Sequence, residues 1–139
     1  KPYWAVLQHL LKTLWRNYFK IKSDTMKNFV LLLRANTSMD PEAFTDPKEV
    51  ADRAQWLEDV TAQGVIKNLG GTMPPIPAMA SSIFAAGTRK EGPFMDVTHF
   101  LTGFLIVEAE DLETAQKIAR SNPILKAGGS VEIRAIMLR

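Results

Sequence analysis

The chain contains no cysteine among its 139 residues. This excludes disulfides, thiolate zinc sites, iron–sulfur clusters and cysteine nucleophiles, and it fits a reducing, cytoplasmic setting. There is no long uncharged apolar run to span a bilayer, and no compact apolar stretch with a small-residue cleavage site. There is also no Gly-x-Gly-x-x-Gly, Walker or Gly-x-Ser-x-Gly motif, so neither nucleotide cradles nor a nucleophile elbow is indicated. Internal repeats and low-complexity tracts are lacking. With 46% hydrophobic and 23% charged residues, the chain has the composition and length of one globular domain.

The charge is unevenly placed. Lys1, Lys12, Arg16, Lys20 and Lys22 stand against Asp24 alone, so residues 1–25 carry +4 and the remainder, at −2, is mildly acidic. The body therefore lacks the broad positive field of a nucleic-acid binder. Within 1–25, Tyr3, Leu7, Leu10, Leu11, Leu14, Trp15, Tyr18 and Phe19 recur at helical spacing, beside a ridge of Lys12, Arg16 and Lys20. This predicts an amphipathic helix. Its stripe suits burial against the body or a partner subunit; its tryptophans beside a basic face also suit a membrane surface. Met26 opens a strand-like run of its own, so the helix also reads as an addition to a domain spanning residues 26–139.

In that domain, Lys27–Arg34 reads as a strand with Phe29, Leu31 and Leu33 on one face and Val30 and Leu32 on the other. Asp46-Pro47-Lys48-Glu49 begins a helix whose inward stripe is expected to be Val50, Ala54, Leu57 and Thr61, flanked by Trp56 and Val60; Gly64 closes it. Val65–Leu69 is a short strand. The segment from Gly70 to Pro77 is a turn-rich connector, Ala80–Gly87 a weak strand, and Arg89–Pro93 a turn. Thr102–Glu108 is a strand. Asp111 caps a helix with Leu112, Ala115, Ile118 and Ala119 inward and a Glu113–Lys117 pair, stopped by Pro123. Ser130–Leu138 is the last strand.

This order is that of an α+β fold: the ferredoxin-like split βαβ sandwich, with both helices on one face of an antiparallel sheet. The other face keeps Val30, Leu32, and Leu105 and Val107 or their alternates. An exposed apolar sheet of that size calls for a partner, and a second copy related by two-fold symmetry is the simplest. A homodimer with a cavity between its sheets is expected.

A resemblance can now be stated. Glu91-Gly92-Pro93-Phe94, Asp96, Gly103-Phe104-Leu105-Ile106, Asp111-Leu112-Glu113-Thr114-Ala115, Pro123 and Gly129–Ile136 resemble the YCII-related family, in particular the branch with an Asp-Gly-Pro-Phe motif. The resemblance covers residues 26–139. It implies a dimeric α+β barrel of ferredoxin-like subunits. Related barrels include isomerases, a dehydrochlorinase and cofactor-free monooxygenases, and better-studied members use a His–Asp pair. Here the motif aspartate is Glu91, and Asp96, Thr98 and His99 stand where the family commonly has Glu, Lys and Glu.

Asp96 and His99 form the candidate catalytic pair: a carboxylate near an imidazole fixes its tautomer and suits proton transfer near neutral pH. Their alternative is a loop histidine beside a capping acid. Glu91 is a second acid or a solvated turn residue. Arg34 is placed to bind a carboxylate ligand or to pair with Glu132, and Arg134 has the same two readings. Phe94 and Trp56 are expected in the core, with a cavity wall as the alternative. Asp96 and His99 lack a third ligand, so no metal and no cofactor are expected. Two functional readings stand: a module that holds a small, acidic ligand in the barrel, and a lyase or isomerase using His99 and Asp96.

Overall fold

The computed structural model describes residues 3–23, 26–38, 45–94 and 98–137, with side chains excepted for 17–23. Its elements are α1 (Tyr3–Ser23), β1 (Lys27–Asn36), α2 (Pro47–Ala62), β2 (Ile66–Thr72), β3 (Ser81–Ile83), β4 (Arg89–Glu91), β5 (His99–Ala109), α3 (Leu112–Arg120) and β6 (Ser130–Ile136). Short 3-10 turns cover Pro77–Met79 and Pro123–Leu125.

One sheet has the order β2-β5-β1-β6, antiparallel throughout, with α2 and α3 as crossovers. This is the ferredoxin-like arrangement. A separate hairpin, β3–β4, is inserted between β2 and β5. The sequence reading treated Arg89–Pro93 as a turn; Arg89–Glu91 is instead paired to Ser81–Ile83. It likewise treated Gly70 and Gly71 as connector, whereas they end β2. Gly70 bulges there at φ 63, its N–H bonded to Asn68 Oδ1 at 2.7 Å, a conformation glycine adopts without strain.

The core lies on the helix side of the sheet. Phe29, Leu31, Leu105, Val107 and Ala109 meet Trp56 and Val60 of α2 and Ala115, Ile118 and Ala119 of α3. The inward stripe of α2 differs from the expected one. Trp56 and Val60 are buried, whereas Val50 is exposed and Ala54 and Thr61 face solvent. The larger apolar pair wins because burying an indole and a valine removes more apolar area than burying alanine and threonine. The indole gains a bond as well, Trp56 Nε1 donating to Ser121 Oγ at 2.8 Å and tying α2 to the end of α3. Leu112 also stays out of the core, 47% exposed.

The helix signals act as read. Asp46 Oδ2 accepts from Glu49 N, and Asp111 Oδ1 accepts from Thr114 N at 2.8 Å and from its hydroxyl at 2.7 Å. Glu113 and Lys117 form no ion pair among the described residues; Lys117 adds a minor attraction to Asp111, six residues earlier at the helix start.

The expected burial of the α1 stripe against the body is not seen among its described side chains, 3–16. Tyr3, Trp4, Leu7, Leu10, Leu11, Leu14 and Trp15 are 45–81% exposed. No helix among the described residues is long and apolar enough to cross a membrane.

Candidate functional site

The face of the sheet opposite the helices carries the candidate site. On β1 the odd-numbered residues from Phe29 to Ala35 point to the core, so Val30, Leu32, Arg34 and Asn36 occupy the other face. Their partners across the ladders share it: Ile106 and Arg134 beside Val30, Phe104 and Glu132 beside Leu32, and Leu101 beside Arg34. Val30, Leu32 and Ile106 are only half-buried and Phe104 is 37% exposed, as expected of a face with nothing packed on it.

A bulge decides where His99 falls. Strict alternation back from Phe104 would place His99 on the core face. The ladder shifts between Leu33 and Arg34, skipping Thr102, so that Arg34 pairs with Leu101, Ala35 with Phe100 and Asn36 with His99. Phe100 is accordingly buried beside Ala35. His99 joins Arg34 on the open face, one row, or about 7 Å, further along the strand. It is thus the first residue of β5 and not part of a turn. Its Nδ1 lies 2.8 Å from Thr98 Oγ1, and its Nε2 has no hydrogen-bond partner among the described residues. Asp96 lies outside the described residues.

A charged cluster borders the apolar patch. Arg34 Nη1 meets Glu132 Oε1 at 2.6 Å, and Arg134 Nη1 lies 3.9 Å from Glu132 Oε2. The three side chains are 32%, 40% and 70% exposed in the order Arg34, Glu132, Arg134. One carboxylate between two guanidiniums leaves a net positive charge. Arg134, loosely held and outermost, is the arm best placed to meet an anion. On the opposite edge, Lys67 Nζ pairs with Glu108 Oε1 at 3.3 Å.

Glu91 and Phe94 are elsewhere. Glu91 ends the β3–β4 hairpin and is exposed. Phe94 is 72% exposed, not core, its ring 6.5 Å from that of Phe84. The hairpin is too short to bury an aromatic on its own. Among the described residues, no group of three metal-ligating side chains comes together.

A cavity of about 520 Å³ lies on the other side of the sheet, beneath α2, walled by Leu33, Trp56, Leu57, Leu105 and Ile124. None of Arg34, Glu91, Phe94, His99 and Arg134 lines it. Glu49 and Arg53 of α2 also line it, whereas Arg34, Arg134 and His99 stand on the open face.

The family model of the YCII-related domain matches residues 29–138. The chain belongs to the YCII-related domain family. The match begins two residues into β1 and ends after β6, so the YCII-related domain is the sheet with its two crossover helices and the inserted hairpin, and α1 precedes it. No match was found among curated proteins.

Proposed function

We propose that this YCII-related chain, of the Asp-Gly-Pro-Phe branch, works as a homodimer that holds a small acidic ligand in a barrel between two open sheet faces. The observation that carries the reading is the company kept on that face. A half-exposed apolar patch of Val30, Leu32, Phe104 and Ile106 is bordered by Arg34, Arg134 and His99. Covering the patch with its two-fold copy removes it from water and walls off the charged border. In that enclosure the arginines receive a carboxylate, and the apolar rows hold the rest of the ligand. The lack of cysteine suits a cytoplasmic setting.

Thermal melting of the full chain against a panel of small carboxylic acids tests the ligand reading. A binding acid is expected to raise the midpoint, and Arg134→Gln to abolish the rise while leaving the unliganded stability within about 0.5 kcal/mol of wild type, as for other exposed positions. A rise that survives Arg134→Gln and Arg34→Gln together contradicts it.

A second reading, a lyase or isomerase, draws support from the histidine. Thr98 engages Nδ1, leaving Nε2 as the nitrogen turned to the task of proton transfer. In this reading Asp96 orients the imidazole. NMR titration of His99 in wild type and Asp96→Asn tests the pair; identical midpoints dissolve it.

A further inference from the structure

We propose that α1 is an interfacial helix that seats its apolar arc in an anionic lipid surface. Successive residues of a helix turn by 100°, and on that wheel Tyr3, Trp4, Val6, Leu7, Leu10, Leu11, Leu14 and Trp15 fill one half. Gln8, His9, Lys12, Thr13 and Arg16 fill the other. All eight apolar side chains are exposed, from Leu11 at 45% to Tyr3 at 81%. Such an arc in water on a helix of 21 residues is a surface that something covers.

Charge selects the occupant. The helix contains Lys12, Arg16, Lys20 and Lys22 and no acidic residue. A second α1 would set basic flank against basic flank, with no carboxylate to pair across the seam. An anionic headgroup layer instead attracts every one of these cations while the arc enters the acyl boundary. Trp4 and Trp15, eleven residues apart, fall within about 20° of each other at one edge of the arc, beside the polar half and suited to the headgroup level. Because no helix among the described residues is long and apolar enough to span, the proposed seat of α1 is in the surface plane. It would tether the YCII-related domain beside the membrane without using any residue of the open sheet face.

The test mixes the full chain with vesicles of phosphatidylcholine alone, or of phosphatidylcholine with phosphatidylserine, and follows sedimentation and tryptophan emission. Of the three tryptophans, Trp56 is buried in the body, so a blue shift reports Trp4 and Trp15. Binding is expected to phosphatidylserine vesicles, weakening with salt. The double variant Lys12→Glu, Arg16→Glu is expected to weaken it by on the order of tenfold or more. Leu7→Glu with Leu11→Glu is expected to abolish the blue shift; these residues are exposed, and circular dichroism checks that the fold is kept. No binding to phosphatidylserine vesicles overturns the proposal. So does a wild-type chain whose self-association is lost in the Leu7→Glu, Leu11→Glu variant while its vesicle binding is not.

Discussion

Arg34 and Glu132, 98 residues apart in the chain, join β1 to β6 through an Nη1–Oε1 contact of 2.6 Å on the open face of the sheet. Glu132 also lies within 3.9 Å of Arg134, so a single carboxylate organises both cations of the candidate site. Glu132→Ala should cost about 1 kcal/mol of stability, the pair being partly solvated. Urea denaturation measures this. The freed arginines should also strengthen binding of a carboxylate ligand, and an unchanged ligand-induced melting shift would show that Glu132 does not restrain them.

Trp56 fills the core beneath α2 and donates to Ser121. Trp56→Phe gives up both volume and that hydrogen bond, and is expected to lower stability by about 1–3 kcal/mol. Ser121→Ala leaves the indole N–H without its partner and should cost less, since no cavity opens. Chemical denaturation of both variants separates the two contributions.

Gly70 sits at φ 63, and a Cβ added there would overlap the Phe104 carbonyl. Gly70→Ala is therefore expected to cost well over about 1 kcal/mol. The loss should concentrate on β2, read as faster amide exchange along Ile66–Thr72 than along β1.

Asp111 titrates below its ordinary value near 3.8, because the Thr114 hydroxyl and N–H both donate to the ionised carboxylate, with Lys117 and Lys27 adding smaller attractions. A carboxylate whose pKa is lower folded than unfolded contributes stability above the unfolded value and loses it as pH falls through the folded one. The contribution should thus be intact at neutral pH and fade below about pH 4. In Thr114→Ala, NMR titration should find the Asp111 midpoint nearer 3.8 but still below it, the backbone donor remaining.

Much of the fold could be read from the residues. Asp46 with Pro47 and Glu49, and Asp111 alone, announced both crossover helices because capping is a local bond between near neighbours. The strand order followed from the alternation of strand and helix patterns. The phase of α2 was only partly legible: Trp56 was expected in the core, but Val50, Ala54 and Thr61, also expected inward, yield because the indole and Val60 bury more apolar area. β4 was missed because Arg-Lys-Glu has no apolar alternation, and its pairing to Ser81–Ile83 is what makes it a strand. At the site, Arg34 beside Glu132 followed from neighbouring strands. The face of His99 did not, because a bulge reverses alternation without leaving a mark in the composition. Phe94 was misread as core since its size predicts burial, yet it sits after a short hairpin with little to pack on.

The central claim is that the open face meets a second copy. Sedimentation equilibrium of the full chain, free of lipid, measures it directly. The account predicts a mass of twice 15.5 kDa, reduced to the monomer by Leu32→Glu at the centre of the open face and unchanged by Leu7→Glu on α1. A wild-type chain that remains monomeric at high concentration, or a dimer indifferent to Leu32→Glu, would contradict it.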